Sequence, residues 1–164
     1  MEQAIALATQ AEQIGEVPVG ALVVCDGQII GQGYNQTINS HDPCGHAEII
    51  ALRQAAQTLG NHRLSGCDLY VTLEPCTMCV GALIHARIRR LVYAASEPKA
   101  GAVVSQMQLL EQPYFNHSVQ VISGLMADES GKMLSNFFKQ RRKQHKADKA
   151  NSNTITDQSK DAVL

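Results

Sequence analysis

The stretch DLYVTLEPCTMCVGALIHARIRRLVYAA, residues 68–95, decides the architecture. Its first six residues, DLYVTL, are a short apolar run rich in β-formers and predict a buried strand over 68–73. Pro75 ends that run, because proline lacks the N–H a sheet needs, and it suits the opening turn of a helix. A helix is predicted over about 76–86, and RLVYAA, 90–95, predicts the next strand. A strand, a helix and a strand in such close succession are a unit of layered α/β folds.

The same reading extends toward the N-terminus. Ala4, Leu7, Ala8, Ala11 and Ile14 recur at helical spacing, so a helix is predicted over 2–14, with Gly15 as its stop. VGALVVC (19–25) and QIIGQG (28–33) flank Asp26-Gly27, the dipeptide of a tight hairpin. A polar, turn-rich loop, YNQTINSHDPCG (34–45), leads into a helix over about 46–59 that buries Ile49, Ala51, Leu52 and Ala55. Toward the C-terminus, 105–111 reads as a short helix, VQVIS (119–123) as a fifth strand, and a last helix starts near Ala127. The expected fold is a three-layer α/β/α sandwich around a five-stranded mixed sheet, one domain over 1–149. Residues 150–164 are polar without a helical stripe and read as a disordered tail.

With 164 residues, 45% of them apolar, the chain can bury one core. No apolar run approaches the ~20 residues that cross a bilayer. The N-terminus lacks a basic leader, so the expected location is the cytoplasm. Five cysteines, an odd number, argue against a disulfide framework, and Cys76 and Cys79 form a CxxC pair suited to a metal or redox site. The net charge of -1 hides an asymmetry: residues 1–138 carry 7 Lys+Arg against 12 Asp+Glu, and residues 139–164 carry 7 against 3. The basic segment KQRRKQHKADK (139–149) is either a solvated helix end or a contact for an anionic partner such as RNA.

Zinc takes imidazole and thiolate ligands, and a catalytic site keeps three from protein and leaves a fourth position for water. His46, Cys76 and Cys79 are of suitable type. The two cysteines are three apart on one helical face, in a first turn where the helix dipole favours thiolate. Glu48, two residues after His46, would sit beside that water and carry its proton. A structural zinc site with Cys44 as fourth ligand, or a redox CxxC, leaves Glu48 without a task. His41, His62, His85 and His117 read as surface or capping residues, Cys25 and Cys67 as small buried groups, and Met107, Met126 and Met133 as core.

HAE (46–48) followed by PCxxC (75–79) is similar to the signature of the zinc nucleobase deaminases. Over roughly residues 1–145 the chain resembles the bacterial tRNA-specific adenosine deaminases of the cytidine deaminase-like superfamily. The stretches that carry the resemblance are GEVPVGALVV (15–24), NSHDPCGHAEIIALR (39–53), LYVTLEPCTMCVGALIHARI (69–88) and LSNFFKQRR (134–142). It implies hydrolytic conversion of the wobble adenosine of an arginine tRNA anticodon loop to inosine, with release of ammonia. It also implies one Zn2+ per subunit on His46, Cys76 and Cys79, Glu48 as proton shuttle, and a homodimer with its sites near the subunit interface. Asn35 matches a residue that contacts the target nucleotide, Val17 and Pro18 match residues lining the base pocket, and Phe137-Phe138 match the start of the RNA-facing last helix. For the two phenylalanines core packing is the competing reading, and for Asn35 an ordinary turn position. Cys44-Gly45 and Ser96-Glu97 depart from the family pattern. The alternatives are a small-molecule deaminase acting on guanine, cytosine or a nucleotide, and a non-catalytic RNA-binding subunit, which would not need Glu48.

Overall fold

A computed structural model describes the backbone of residues 1–158 and the side chains of residues 1–149. The elements are α1 (Glu2–Gln13), β1 (Gly20–Cys25), β2 (Gln28–Tyr34), α2 (Ala47–Leu59), β3 (Asp68–Leu73), α3 (Thr77–His85), β4 (Arg90–Ala95), a 3-10 turn (Leu109–Glu111), β5 (Gln120–Ser123) and α4 (Ala127–Gln158). The strands form one sheet in the order β2-β1-β3-β4-β5. β1 pairs antiparallel with β2 and β3, while β3–β4 and β4–β5 are parallel, so the sheet is mixed. The hairpin turns at Asp26 and Gly27, both with positive φ, as an Asp-Gly turn requires.

Alternation along the strands divides the two faces. Ala21, Val23, Leu69, Val71 and Leu91 point into the main core with α2 and α3, where Ala51, Ala55, Val80 and Leu83 are fully buried. Leu22 packs with Ala4 and Leu7 of α1 on the opposite face. On that same face the Ser130 hydroxyl of α4 donates to the Thr72 carbonyl. This is the three-layer sandwich, with α1 and α4 on one side and α2 and α3 on the other.

Helix α2 lies unusually close to the sheet. A methyl group on Gly31 would overlap the Ala51 carbonyl, and one on Gly33 would overlap the Ala47 carbonyl. The glycines are two apart on one face of β2, and Ala47, Ala51 and Ala55 repeat every four residues along α2. Bare backbone therefore meets a strip of methyl groups, and this contact sets how far the start of α2 stands from β1 and β3.

Four sequence expectations are corrected. Ile14 is 44% exposed, because α1 ends at Gln13 and the chain turns away at Gly15 (φ 79°). Met107 is 45% exposed, its sulfur against the Thr77 hydroxyl, and not in the core. No helix spans 105–111: Ser105 N–H goes to Glu74, Gln106 N–H to Gly101 and Leu109 N–H to Ala102, which leaves a 3-10 turn over 109–111. Helix α4 runs to Gln158, past residue 150 where the tail was expected to begin, since extending an existing helix needs no new nucleus. The rest of that expected tail, 159–164, lies outside the described residues. Among the described residues no helix is long and apolar enough to cross a membrane.

Candidate active site

The site forms where two helices begin. His46 is the N-cap of α2 and Cys76 the N-cap of α3, and neither side chain caps its own helix. Both are free to point inward. His46 Nδ1 lies 3.7 Å from Cys76 Sγ and 3.5 Å from Cys79 Sγ, and the two sulfurs are 3.7 Å apart. An ion with bonds of about 2.3 Å to sulfur and 2.0 Å to nitrogen in tetrahedral geometry would hold its donors about 3.5–3.8 Å apart. The donor set therefore fits zinc in type and in spacing. Among the described residues these three form the one cluster of this kind. Cys44 is not part of it and lines a hollow between α2 and α3 instead. His41, His62 and His85 are exposed, and His117 bonds the Ile88 carbonyl through Nε2 at 2.7 Å.

Electrostatics favours cation binding. The hydrogen bond shared with Cys79, helped by His46, holds the Cys76 thiol down at about 3 against its burial. The same bond, with burial and the nearby Glu48 charge, pushes the Cys79 thiol up. The bond to Cys76 raises His46 despite desolvation. A metal ion that takes these groups as ligands displaces whatever protons they hold.

Glu48 is 4% exposed, in the first turn of α2, within hydrogen-bonding reach of Cys79 but outside the three-donor cluster. Burial raises its pKa, opposed by its own backbone N–H and by His46. Asn35 is also buried. Its Oδ1 accepts the Ala47 N–H at 2.9 Å, which caps α2 in place of His46 and fixes the direction of the amide nitrogen. Val17 is half-buried, and Pro18 is fully buried with no free surface. Phe137 is core at 6% exposure, whereas Phe138 is 43% exposed beside Arg142.

Sequence reading passed over two buried carboxylates that shape the loops around this cluster. Glu16 Oε1 accepts the N–H groups of Ile38 (2.7 Å) and Asn39 (2.8 Å) and the Asn39 amide (3.1 Å), while Oε2 accepts the Thr37 hydroxyl (3.0 Å). It ties the loop after Asn35 to the turn that carries Val17. Glu74 does the same for the loop after β4. The available signal was a lone acid inside an otherwise apolar run, GEVPVGA and TLEPC.

Glu16 yields an expectation in pH. Burial works against its charge, yet the donors from Asn39, Thr37 and Ile38 prevail and its pKa is lowered. A depressed folded pKa stabilises the fold above the unfolded value of about 4.3, and that stabilisation is lost as pH falls through the folded value. The stability gap between the wild type and Glu16→Gln should therefore be widest near pH 7 and narrow toward about pH 3. Denaturant melts across that range measure it; a constant gap would show that the charge contributes nothing.

The fold and the three-donor cluster define a deaminase of the zinc-binding class, and residues 1–95 match the family described as the cytidine and deoxycytidylate deaminase zinc-binding region. The tRNA-specific adenosine deaminase of Haemophilus influenzae is 48% identical over 158 residues, 96% of this chain and 91% of that one. That of Bacillus subtilis is 43% identical over 92% of this chain and 94% of its own. A solved structure from work on A-to-I editing by tRNA:A34 deaminases superposes with a TM-score of 0.80 at 48% identity, covering 82% of this chain and 97% of that one. A guanine deaminase from Nitrosomonas europaea shares the fold at 26% identity, with a TM-score of 0.73 over 83% and 81% of the two chains. The chain belongs to the family of tRNA-specific adenosine deaminases.

Proposed function

We propose that this protein hydrolytically deaminates the wobble adenosine in the anticodon loop of a tRNA, an arginine tRNA, to inosine. The observation that carries the reading is the three-donor cluster with a buried carboxylate beside it, in a chain 48% identical to a tRNA-specific adenosine deaminase. His46, Cys76 and Cys79 would hold one Zn2+ per subunit, which when bound lowers the pKa of a coordinated water toward neutrality. Glu48 takes the proton that this water gives up. Its burial makes the charged form costly, so it both accepts a proton readily and stays poised to return it. The water oxygen bonds to the purine carbon that bears the amino group; Glu48 would return its proton to the ring nitrogen, then take the proton of the newly added hydroxyl and pass it to the amine, whose C–N bond breaks to release ammonia. Asn35 donates its amide N–H to the nucleotide, and Val17, backed by Pro18, supplies the apolar side of the base pocket. A stacked base could not reach a site of this kind, so an unpaired loop nucleotide is the natural substrate.

An arginine tRNA transcript should gain inosine, while free adenosine, cytidine and guanine are left unchanged. Turnover of guanine without turnover of the tRNA would replace this reading with that of a small-molecule deaminase.

The exposed cations Arg141, Arg142, Lys143 and Lys146 of α4 supply the positive charge toward phosphates that the acidic body of the chain lacks. Replacing all four by Gln should lower the slope of log affinity against log salt by about 0.7–0.9 for each phosphate no longer neutralised. An unchanged slope in a normally melting protein would mean that α4 does not touch the RNA. The enzyme works as a homodimer in the cytoplasm, where its substrate resides. Light scattering should give twice the 17.8 kDa chain mass at micromolar concentration, and a single-chain mass would remove the dimer.

A further inference from the structure

The carboxylate of Glu74 is 2% exposed, two residues before Cys76, and the chemistry above makes no use of it. Five donors converge on it. Oε1 accepts the backbone N–H groups of Val103 (3.1 Å), Val104 (2.8 Å) and Ser105 (2.9 Å). Oε2 accepts the Glu97 N–H (3.0 Å) and the Ser105 hydroxyl. All five belong to one loop, residues 96–106, wrapped around a single side chain. That loop is also tied to the start of α3: Ala102 N–H donates to the Pro75 carbonyl at 2.9 Å, and Gly101 forms a β-bridge with Cys76. Gly101 sits so close that a methyl group there would overlap the Glu74 carboxyl carbon.

The outer side of the loop faces solvent. Glu97, Pro98 and Lys99 form one wall of a hollow of about 450 Å³, and α4 forms the other with Phe138 and Arg142. An exposed ring next to two cations suits a nucleotide flanking the target, its base stacked and its phosphate paired. The wall carrying Lys99 is itself exposed; the loop is held by the buried Ala102 and Val103, by the ties of Gly101 and Ala102 to the start of α3, and by Glu74, whose bond to the Glu97 N–H joins that wall directly to the carboxylate.

We propose that Glu74 is a positioning residue for substrate. Its carboxylate latches the 97–105 loop to the Cys76 segment, so that the hollow receiving a flanking nucleotide stands at a fixed distance from the reacting base. This rests on the RNA reading above. Because the latch acts on seating and not on proton transfer, its loss should appear in KM and spare kcat.

The test uses zinc-loaded full-length protein and an anticodon stem-loop. Glu74→Gln keeps one carbonyl oxygen for the three backbone N–H groups but turns an amide nitrogen toward Glu97 N–H, whereas Glu74→Ala removes every acceptor. KM should rise about tenfold in the first and about a hundredfold in the second, with kcat within about threefold and zinc content unchanged. Gly101→Ala presses on the latch from the opposite side and leaves the carboxylate in place. It should raise KM similarly, with little added effect when combined with Glu74→Gln. Glu74→Gln and Gly101→Ala also serve if the Ala variant at 74 does not fold. Hydrogen exchange at Val103, Val104 and Ser105 should quicken in each variant. A fall in kcat at constant KM, or a loss of zinc, would overturn the positioning role. If the wild type proves inactive on RNA, the function reading fails, and amide exchange alone decides the latch: unchanged exchange in the Glu74 variants overturns it for any substrate.

Discussion

Glu48→Ala should retain one zinc per chain and a normal melt, yet lose turnover by about a thousandfold or more, the scale of a well-placed general acid–base. A thousandfold corresponds to about 4 kcal/mol of barrier. Glu48 lies against Cys79 but outside the donor cluster, so its removal takes away a proton carrier and no ligand. Glu48→Gln should fare no better, because an amide preserves the shape and cannot accept the proton. Single-turnover assays at saturating RNA, with elemental analysis of the same samples, separate the outcomes. Loss of metal together with activity would make Glu48 a ligand, and near-normal turnover would remove it from the mechanism.

Cys79→Ser is expected to do more. Cys79 is fully buried and would contribute one of three donors to an ion joining two helix starts thirty residues apart in sequence. After washing with chelator, the variant should hold almost no zinc and show no turnover. It should also unfold earlier. A ligand present at about a thousand times its Kd stabilises a fold by about 4 kcal/mol, which for a chain of this size is roughly 10 °C in Tm. Adding zinc to stripped wild type should restore both properties and have no effect on the variant. Full activity in metal-free wild type would sink the metal assignment.

Much of the fold was legible because periodicity and punctuation agreed. Asp26-Gly27 sat between two β-rich runs, Pro75 stood between strand and helix, and all five strands fell within a residue of their expected ends. The three donors were legible because ligand chemistry restricts residue type and spacing. The loops were not. Residues 105–111 carry enough apolar character to suggest a helix, but their N–H groups are taken by Glu74 and by the loop itself, a tertiary effect invisible to periodicity. Asn35 matches a nucleotide-contacting residue by resemblance, whereas its capping of α2 through Ala47 depends on a fold that brings residues twelve apart together. Phe137 and Phe138 are adjacent letters with opposite fates, one in the core and one exposed, and only the phase of α4 tells them apart.

The contact of Gly31 and Gly33 with Ala47, Ala51 and Ala55 has a consequence for how such an enzyme can change over time. Where helix and sheet meet through backbone and methyl groups, no larger side chain can be traded for a smaller one to shift the helix gradually. The helix bearing His46 and Glu48 is in effect locked against drift. The loops that Glu16 and Glu74 gather around their carboxylates are freer over most of their length, Gly101 excepted, since much of their order comes from backbone N–H groups that most sequences can supply. New specificity would thus be selected in residues 36–45 and 96–106, while the reacting groups stay still.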